Sequence, residues 1–183
     1  MRSHIFSLMI LFCSISVYSQ SNVEDLEYWQ IIEKAWEANP VANEARLNAL
    51  ATKEKNTIAK LEKYTGLITK SLESELLKLT KEDLAKFIFF VEKKLYEIDR
   101  EDIHRYTDGS DDGFYYARGF ILGLGYEHYN LVNNNPSKVA YDVEFFEICF
   151  IGYVIYKEKY GEEFERYQYH NASSFMNKEG WKE

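Results

Sequence analysis

The chain has 183 residues, of which 46% are hydrophobic and 16% aromatic, and it contains only two prolines. This composition excludes a disordered or collagen-like chain and supplies enough apolar surface for one domain with its own core. The 22 basic and 30 acidic residues give a net charge of −8. That balance argues against nucleic acid as a partner, because nucleic-acid-binding proteins present a basic face to the phosphates.

The first residues have the pattern of a cleavable secretory signal peptide. Met1–His4 is a short basic start, Ile5–Val17 is an apolar run, and Ser19 places a small side chain before Gln20. This order of features is typical of such signals. We therefore expect removal of residues 1–19, a periplasmic or secreted location, and no membrane span in the mature chain. A membrane anchor is the alternative, but the run is shorter than the ~20 residues that cross a bilayer.

Export leaves a single cysteine in the mature chain. Cys13 lies within the signal, and its use as a lipid-attachment site is disfavoured by the bulky Phe12 before it. Cys149 lies in the apolar run Phe145–Ile151, so we predict a buried thiol that forms no internal disulfide.

The first half of the mature chain has the spacing of apolar side chains that is typical of helices. We predict one helix over Val23–Ala38, ended by Asn39-Pro40, and a long charged segment over Ala42–Leu79 that Thr65-Gly66 divides into two helices. The part over Asn43–Gly66 has few apolar residues, and its role stays open.

The middle of the chain carries the clearest helix signals. Thr80–Asp83 has a capping arrangement. The stripe that follows it has helical spacing and consists of Leu84, Phe87, Val91, Leu95 and Ile98. Asp108–Gly113 is predicted to be a turn, after which Ser110 or Asp111 caps a helix over Asp112–Leu124 that ends at Gly125.

The last part of the chain predicts a short helix or turn over Tyr126–Val132, a loop over Asn133–Pro136 and a long helix over Tyr141–Tyr160 that Gly161 stops. No strand-like alternation or internal repeat is found. The sequence therefore predicts an all-α fold, a single compact bundle of about six helices over residues 20–170, followed by a loose C-terminal tail over residues 171–183.

The candidate binding residues crowd around the turn and the helix after it. They are Asp108, Asp111, Asp112, Tyr115, Tyr116 and Arg118. Arg118 lies only about 40° from the apolar stripe of its helix, so we expect a partly buried guanidinium that needs a carboxylate or carbonyl partner. The candidate carboxylate partners of Arg118 on neighbouring helices are Asp99, Glu92, Glu144 and Glu147. Gly119 and Gly123 are expected to let another helix approach closely.

Two interpretations of this cluster stay open. In the structural one, Asp111 and Asp112 cap the helix while Arg118 holds two helices together. In the functional one, the carboxylates and Arg118 face one cleft and bind a small molecule or a protein partner in the cell envelope.

No catalytic or cofactor motif is found, and His104, His128 and His170 lack the spacing of a metal-binding pair. We therefore expect no metal and no cofactor, and we favour a binding module. The alternative is a small hydrolase-like or metal-assisted enzyme that uses Asp111 or Asp112 with Arg118 as an anion clamp. A third hypothesis is an inhibitor whose acidic face covers a basic enzyme.

Three blocks of the sequence have the residues and the order of a known family. They are Tyr28–Glu33, Leu79–Phe87 and, most specifically, Ser110–Arg118. In these blocks the chain resembles the bacterial domain-of-unknown-function 4240 family, whose signature reads Ser-Asp-Asp-x-Phe-x-Tyr-Phe-Arg, then a Trp-Leu-Ile run, a Gly and a later Pro. Those features fall on Ser110, Asp111, Asp112, Phe114, Tyr116, Arg118, Ile121, Leu122, Gly125 and Pro136.

The chain departs from that signature at two positions, where Ala117 replaces Phe and Phe120 replaces Trp. Both changes are between apolar residues and bear on local packing. The resemblance covers about Tyr28–Tyr160, with Asn43–Gly66 as additional sequence. It implies a small helical domain and supplies no established activity.

Overall fold

The computed structural model describes residues 25–107 and 109–181. The predicted signal peptide over residues 1–19 lies outside the described residues. The α-helices are α1 (residues 25–37), α2 (Pro40–Thr52), α3 (Lys55–Ala59), α4 (Thr65–Leu76), α5 (Lys81–Glu97), α6 (Glu101–His104), α7 (Asp111–Gly123), α8 (Tyr126–Asn134) and α9 (Ile151–Tyr160). Short 3-10 helices span Lys60–Tyr64, Pro136–Lys138 and Glu147–Cys149.

The predicted all-α class is confirmed, since the described residues contain helices and no strand. Over the same residues the helices outnumber the six that were predicted, because the charged segment breaks differently from the prediction and because the short helix α6 was not predicted. Lys53 adopts a left-handed conformation and ends α2, and a 3-10 turn over Lys60–Tyr64 precedes α4. Thr65 and Gly66, predicted as the break, instead form the first turn of α4.

The charged segment packs against the body of the domain. Ala49, Ile58 and Leu61 are buried in the same core as the later helices. Arg46 of α2 is also buried: its guanidinium donates to the carbonyl of Leu124 and pairs with Glu33. A buried arginine thus fixes α2 to α1 and to the end of α7.

Helix α5 lies at the centre of the fold and packs against both α7 and α9. Thr80 begins it as predicted, because the Thr80 hydroxyl accepts a hydrogen bond from the backbone N–H of Asp83. The predicted stripe is confirmed, since Leu84, Phe87, Val91, Leu95 and Ile98 are all buried. Each fully buried side chain of this size stabilises the fold by roughly 1.5–3 kcal/mol.

The predicted long helix over Tyr141–Tyr160 is wrong in its first half. Only Ile151–Tyr160 forms α9, and the residues before it run irregularly along α7 up to a 3-10 turn. The backbone N–H of Phe145 donates to the carbonyl of Tyr116, and the Phe145 side chain is fully buried. This tertiary contact overrides the local helical spacing.

Gly119 and Gly123 of α7 permit that contact. A Cβ at Gly119 would lie 2.6 Å from the carbonyl oxygen of Phe145 and 2.7 Å from the Sγ of Cys149. At Gly123 it would collide with the Phe145 ring. The close approach predicted at these glycines is confirmed, but the approaching segment is a loop and a 3-10 turn. Cys149 is buried there as predicted, and burial raises the pKa of its thiol to about 12.

The residues after Asn171, expected to form a loose tail, contact the core. Ala172 is fully buried, and the Trp181 ring packs against those of Phe114 and Phe175. The backbone N–H of Glu101 donates to the carbonyl of Gly180. In the part of the chain that the structure describes, no helix combines the length and the apolar character needed to cross a membrane.

Candidate functional site

The beginning of α7 presents two carboxylates to solvent. The Ser110 hydroxyl caps the helix by accepting from the backbone N–H of Gly113. Asp111 and Asp112 follow in the first turn, where negative charge is favoured by the helix dipole, and both residues are exposed. Neither carboxylate forms a salt bridge with a described residue. The structure therefore leaves their charges available.

These carboxylates line an open cleft of about 360 Å³, which we call the α7 cleft. Its volume is within the range of small-molecule sites. Helix α7 forms one wall, and Phe150 together with the segments that follow α9 forms the other. The lining residues are Asp111, Asp112, Tyr115, Tyr116, Phe150, Arg166, Tyr167, Ser173 and Ser174.

Arg166 supplies a cation to the wall opposite α7. Its guanidinium lies 5.2 Å from the ring centroid of Phe150, 4.7 Å from that of Tyr153 and 4.8 Å from that of Tyr167. It also donates a 2.7 Å hydrogen bond to the Tyr167 hydroxyl. Cation–π contacts of this kind hold a guanidinium in place without neutralising it. Arg166 forms no salt bridge with a described carboxylate.

A buried carboxylate fixes the far wall from beneath. Oε1 of Glu92 accepts hydrogen bonds from the Tyr153 hydroxyl and from the backbone N–H of Tyr167. Burial raises the pKa of Glu92, while those two donors and the charge of Arg166 oppose the rise. Glu92 thus holds Tyr153 and Tyr167 in the positions from which they contact Arg166.

The two tyrosines of α7 contribute aromatic surface to the cleft. Tyr115 is mostly buried and contacts the rings of Tyr116 and Phe150. Burial is the main cause that raises the pKa of Tyr115, so its phenol stays protonated. Tyr116 is half-buried, and its ring packs edge-on against Phe146.

Arg118 lies beneath the cleft and does not face it. Its side chain is fully buried, and the guanidinium donates to the carbonyls of Leu95 (2.7 Å) and Ala172 (3.0 Å). Asp99 lies 3.9 Å away and is also fully buried. Burial lowers the pKa of Arg118, and the negative charge of Asp99 opposes that effect. The expectation that this arginine finds carbonyl or carboxylate partners is confirmed, and its burial is complete where partial burial was expected.

Asp99 connects Arg118 to the C-terminal segment. Its two carboxylate oxygens accept from the backbone N–H groups of Phe175, Met176 and Asn177 and from the indole N–H of Trp181. These charge-assisted bonds account for the packing of the segment after Asn171.

Ser174 joins this buried pair to the cleft above it. Its hydroxyl accepts from Arg118 at 3.1 Å and donates to the backbone carbonyl of Asp111 at 2.7 Å. Arg118 therefore supports the first turn of α7 through one intermediate side chain, although it lines no part of the cleft.

The structure divides the residues that the sequence proposed as one site. It brings four of them, Asp111, Asp112, Tyr115 and Tyr116, into the α7 cleft and places Arg118 in the core. Asp108 lies outside the described residues. An anion clamp at Arg118 therefore has no access to a ligand in this cleft.

His104, which lacks metal-binding spacing in the sequence, lies among aromatic rings. Its imidazole packs edge-on against the rings of Phe114, Phe175 and Trp181. Over residues 25–107 and 109–181, no group of histidine, cysteine, aspartate and glutamate side chains has the arrangement of a metal site.

No local pattern in the sequence predicted the far wall of the cleft. Phe150, Arg166, Tyr167, Ser173 and Ser174 lie 32 or more positions beyond Arg118 in the chain, and no local spacing connects them to α7. The one available signal was the position of Arg166 beside the tyrosine-rich stretch Tyr167–Tyr169.

These features define an all-helical domain in which a capped helix carries two exposed carboxylates above a buried arginine. The chain matches the family described as "Protein of unknown function (DUF4240)" over residues 24–177 and belongs to that family. The resemblance seen in the three sequence blocks is thereby confirmed. The matched range includes Asn43–Gly66 and extends beyond Tyr160 to the segment that Asp99 holds. Comparisons with curated proteins and with solved structures returned no match.

Proposed function

We propose that this protein is an exported binding module without a catalytic step, and that the α7 cleft is its ligand-binding site. The observation that supports the proposal is the presence of opposite charges on the two walls of one cleft. Asp111 and Asp112 stand on one wall and Arg166 on the other, and none of the three forms a salt bridge with a described residue. A ligand with both charges would complete pairs that the protein leaves open.

The walls between those charges favour a ligand with apolar parts. Tyr115, Tyr116 and Phe150 supply ring surface, and Ser173 adds a polar group at the edge. Tyrosine and arginine are the residues that binding surfaces favour. The ligand class that fits is a peptide-like zwitterion, whose ammonium group pairs with the aspartates and whose carboxylate pairs with Arg166.

The test is a calorimetric titration of the full chain with leucyl-leucine. This dipeptide carries charge only at its two ends, so N-acetylation and C-amidation each remove one charge. We expect the free dipeptide to bind with a dissociation constant below about 1 mM, which is about 4 kcal/mol of binding free energy. Each blocked form is expected to bind at least about tenfold more weakly.

Two variants assign the charges to residues. Arg166→Ala should remove the preference for a free carboxylate and keep the preference for a free ammonium group. Asp111→Asn with Asp112→Asn should have the opposite effect. Equal affinity for free and blocked dipeptides would overturn the proposal, as would the absence of any binding.

Export is proposed from the sequence pattern of residues 1–19 and has its own test. The full chain is produced in a bacterium with two membranes, and the mass of the protein released from the periplasm is measured. We expect a chain that begins at Gln20. An intact chain that stays with the cytoplasm or the membrane would contradict export.

A further inference from the structure

Helices α4 and α9 form a second concave surface, which we call the α4/α9 groove. It has a volume of about 250 Å³. Its lining residues are Thr69, Glu73, Phe146, Glu147, Phe150, Ile151, Val154, Ile155 and Glu158.

The groove exposes large apolar side chains that the domain itself does not cover. Phe146 is 47% exposed and Val154 is 50% exposed. Single exposed apolar residues are ordinary on a protein surface, whereas apolar groups gathered in one groove mark an interaction site. Ile151 and Ile155 form its floor, because both are buried on the same face of α9.

The rim of the groove is acidic. Glu73 borders it on α4, and Glu147 and Glu158 border it on the other side. None of these glutamates forms a salt bridge with a described residue, and no lysine, arginine or histidine lines the groove. An apolar floor with an unpaired acidic rim is complementary to an apolar segment flanked by positive charges.

We propose that the α4/α9 groove docks a basic amphipathic helix of a partner protein. A partner helix that packs between α4 and α9 places its apolar residues at positions i, i+3 or i+4 and i+7 into the groove. The lysines or arginines that flank those residues then reach the glutamates of the rim. The surface is separate from the ligand site of the α7 cleft, with which it shares only Phe150. Glu147, Val154 and Glu158 line the groove and no part of the α7 cleft, so the tests use these residues.

The probe is a synthetic helical peptide with leucines at that spacing and lysines beside them. A second peptide has glutamate in place of every lysine. Fluorescence anisotropy measures the binding of each peptide to the full chain. We expect the lysine peptide to bind at least about tenfold more tightly than the glutamate peptide, and its affinity to fall as salt is added.

Two variants of the groove separate shape from charge. Val154→Asp places a charge on the apolar surface and should weaken binding of the lysine peptide at least about tenfold. Its matched control is Leu47→Asp, because Leu47 is 52% exposed on α2 and lies outside the groove. The control should leave the affinity unchanged.

Charge reversal at the rim has a control of equal net charge. Glu147→Lys with Glu158→Lys should weaken binding of the lysine peptide at least about tenfold. Glu37→Lys with Glu44→Lys changes the net charge equally at exposed positions of α1 and α2 and should have no effect. Dipeptide binding at the α7 cleft should be the same in all these variants, so failure here is distinct from failure of the proposed function.

Three results would overturn the proposal. The first is equal binding of the two peptides. The second is an equal loss of affinity in the rim reversal and in its control, since that would reflect net charge alone. The third is a dimer of the unmodified chain that Val154→Asp converts to a monomer, since a second copy of the chain would then cover the groove.

Discussion

The two ends of the Ser110–Arg118 segment carry opposite charges and have opposite surroundings. At its start, Asp111 and Asp112 are exposed and unpaired with described residues. At its end, Arg118 is fully buried and bound by two carbonyls, a hydroxyl and the neighbouring Asp99. One sequence motif therefore contains both a structural part and a surface part. Burial, more than residue type, decides which charges the fold uses and which remain for a ligand.

The largest effect is expected where the buried end is broken. Asp99→Ala removes the acceptor of four N–H groups and leaves Arg118 without a compensating charge. We expect the free energy of unfolding, measured with urea, to fall by roughly 3–5 kcal/mol. The amide protons of Phe175–Asn177 should also exchange faster.

The control for this change is Asp102→Ala. Asp102 is 54% exposed and pairs with Arg100 at the surface. Its loss should cost less than about 1 kcal/mol. Similar losses for Asp99 and Asp102 would contradict the structural role assigned to the buried pair.

A second buried group sharpens the comparison through its pH dependence. Both ring nitrogens of His128 are buried without a hydrogen-bond partner in the described part, and burial lowers the pKa of His128 from 6.5 to about 4. The unfolded chain takes up this proton near pH 6.5, whereas the folded chain takes it up only near pH 4. Stability is therefore full above pH 6.5 and decreases as the pH falls towards 4, by about 3 kcal/mol.

His128→Leu removes this contribution. The difference in unfolding free energy between the unmodified chain and the variant should change by about 3 kcal/mol between pH 6.5 and 4, and by nothing between pH 7 and 8. Urea unfolding at a series of pH values measures it. Parallel pH profiles for the two chains would show that His128 is not buried as the structure places it.

The smallest of these effects comes from two glycines of opposite surroundings. Gly119→Ala pushes a methyl group against Phe145 and Cys149, so we expect a loss of about 1–3 kcal/mol. Gly66→Ala on α4 has no atom within 4 Å and should instead stabilise the protein by up to about 1 kcal/mol. Thermal unfolding of both variants gives the signs. A gain in stability for Gly119→Ala would mean that α7 is not closely approached at Gly119.

Local patterns predicted the parts of the fold that depend on neighbours in sequence. The Thr80 cap, the buried stripe of α5 and the need of Arg118 for partners follow from spacing and charge alone. The parts that the sequence did not predict depend on distant contacts. Residues 141–146 are irregular because Phe145 packs on α7, and Arg118 binds Ala172 from 54 positions away.

The candidate site shows the same division. Its α7 wall was predicted, because the residues of that wall are close in sequence. Its far wall was not predicted. Arg166 is held at the cleft by contacts with Tyr153 and Tyr167, and the buried Glu92 binds Tyr167. These three partners lie on three different segments of the chain.

The most direct test of this account is thermal unfolding of the variant with Asp111→Asn and Asp112→Asn, with and without saturating leucyl-leucine. The dipeptide should raise the Tm of the unmodified chain, because a ligand that binds only the folded state stabilises it. Without ligand, the variant should unfold within about 4 °C of the unmodified chain, since exposed charges at a helix start contribute little. The dipeptide should raise the Tm of the variant by less than it raises that of the unmodified chain, because the variant keeps Arg166 but lacks the two negative charges. A large drop in Tm without ligand would show that these two carboxylates stabilise the fold. An undiminished rise in Tm with ligand would show that they do not bind the dipeptide.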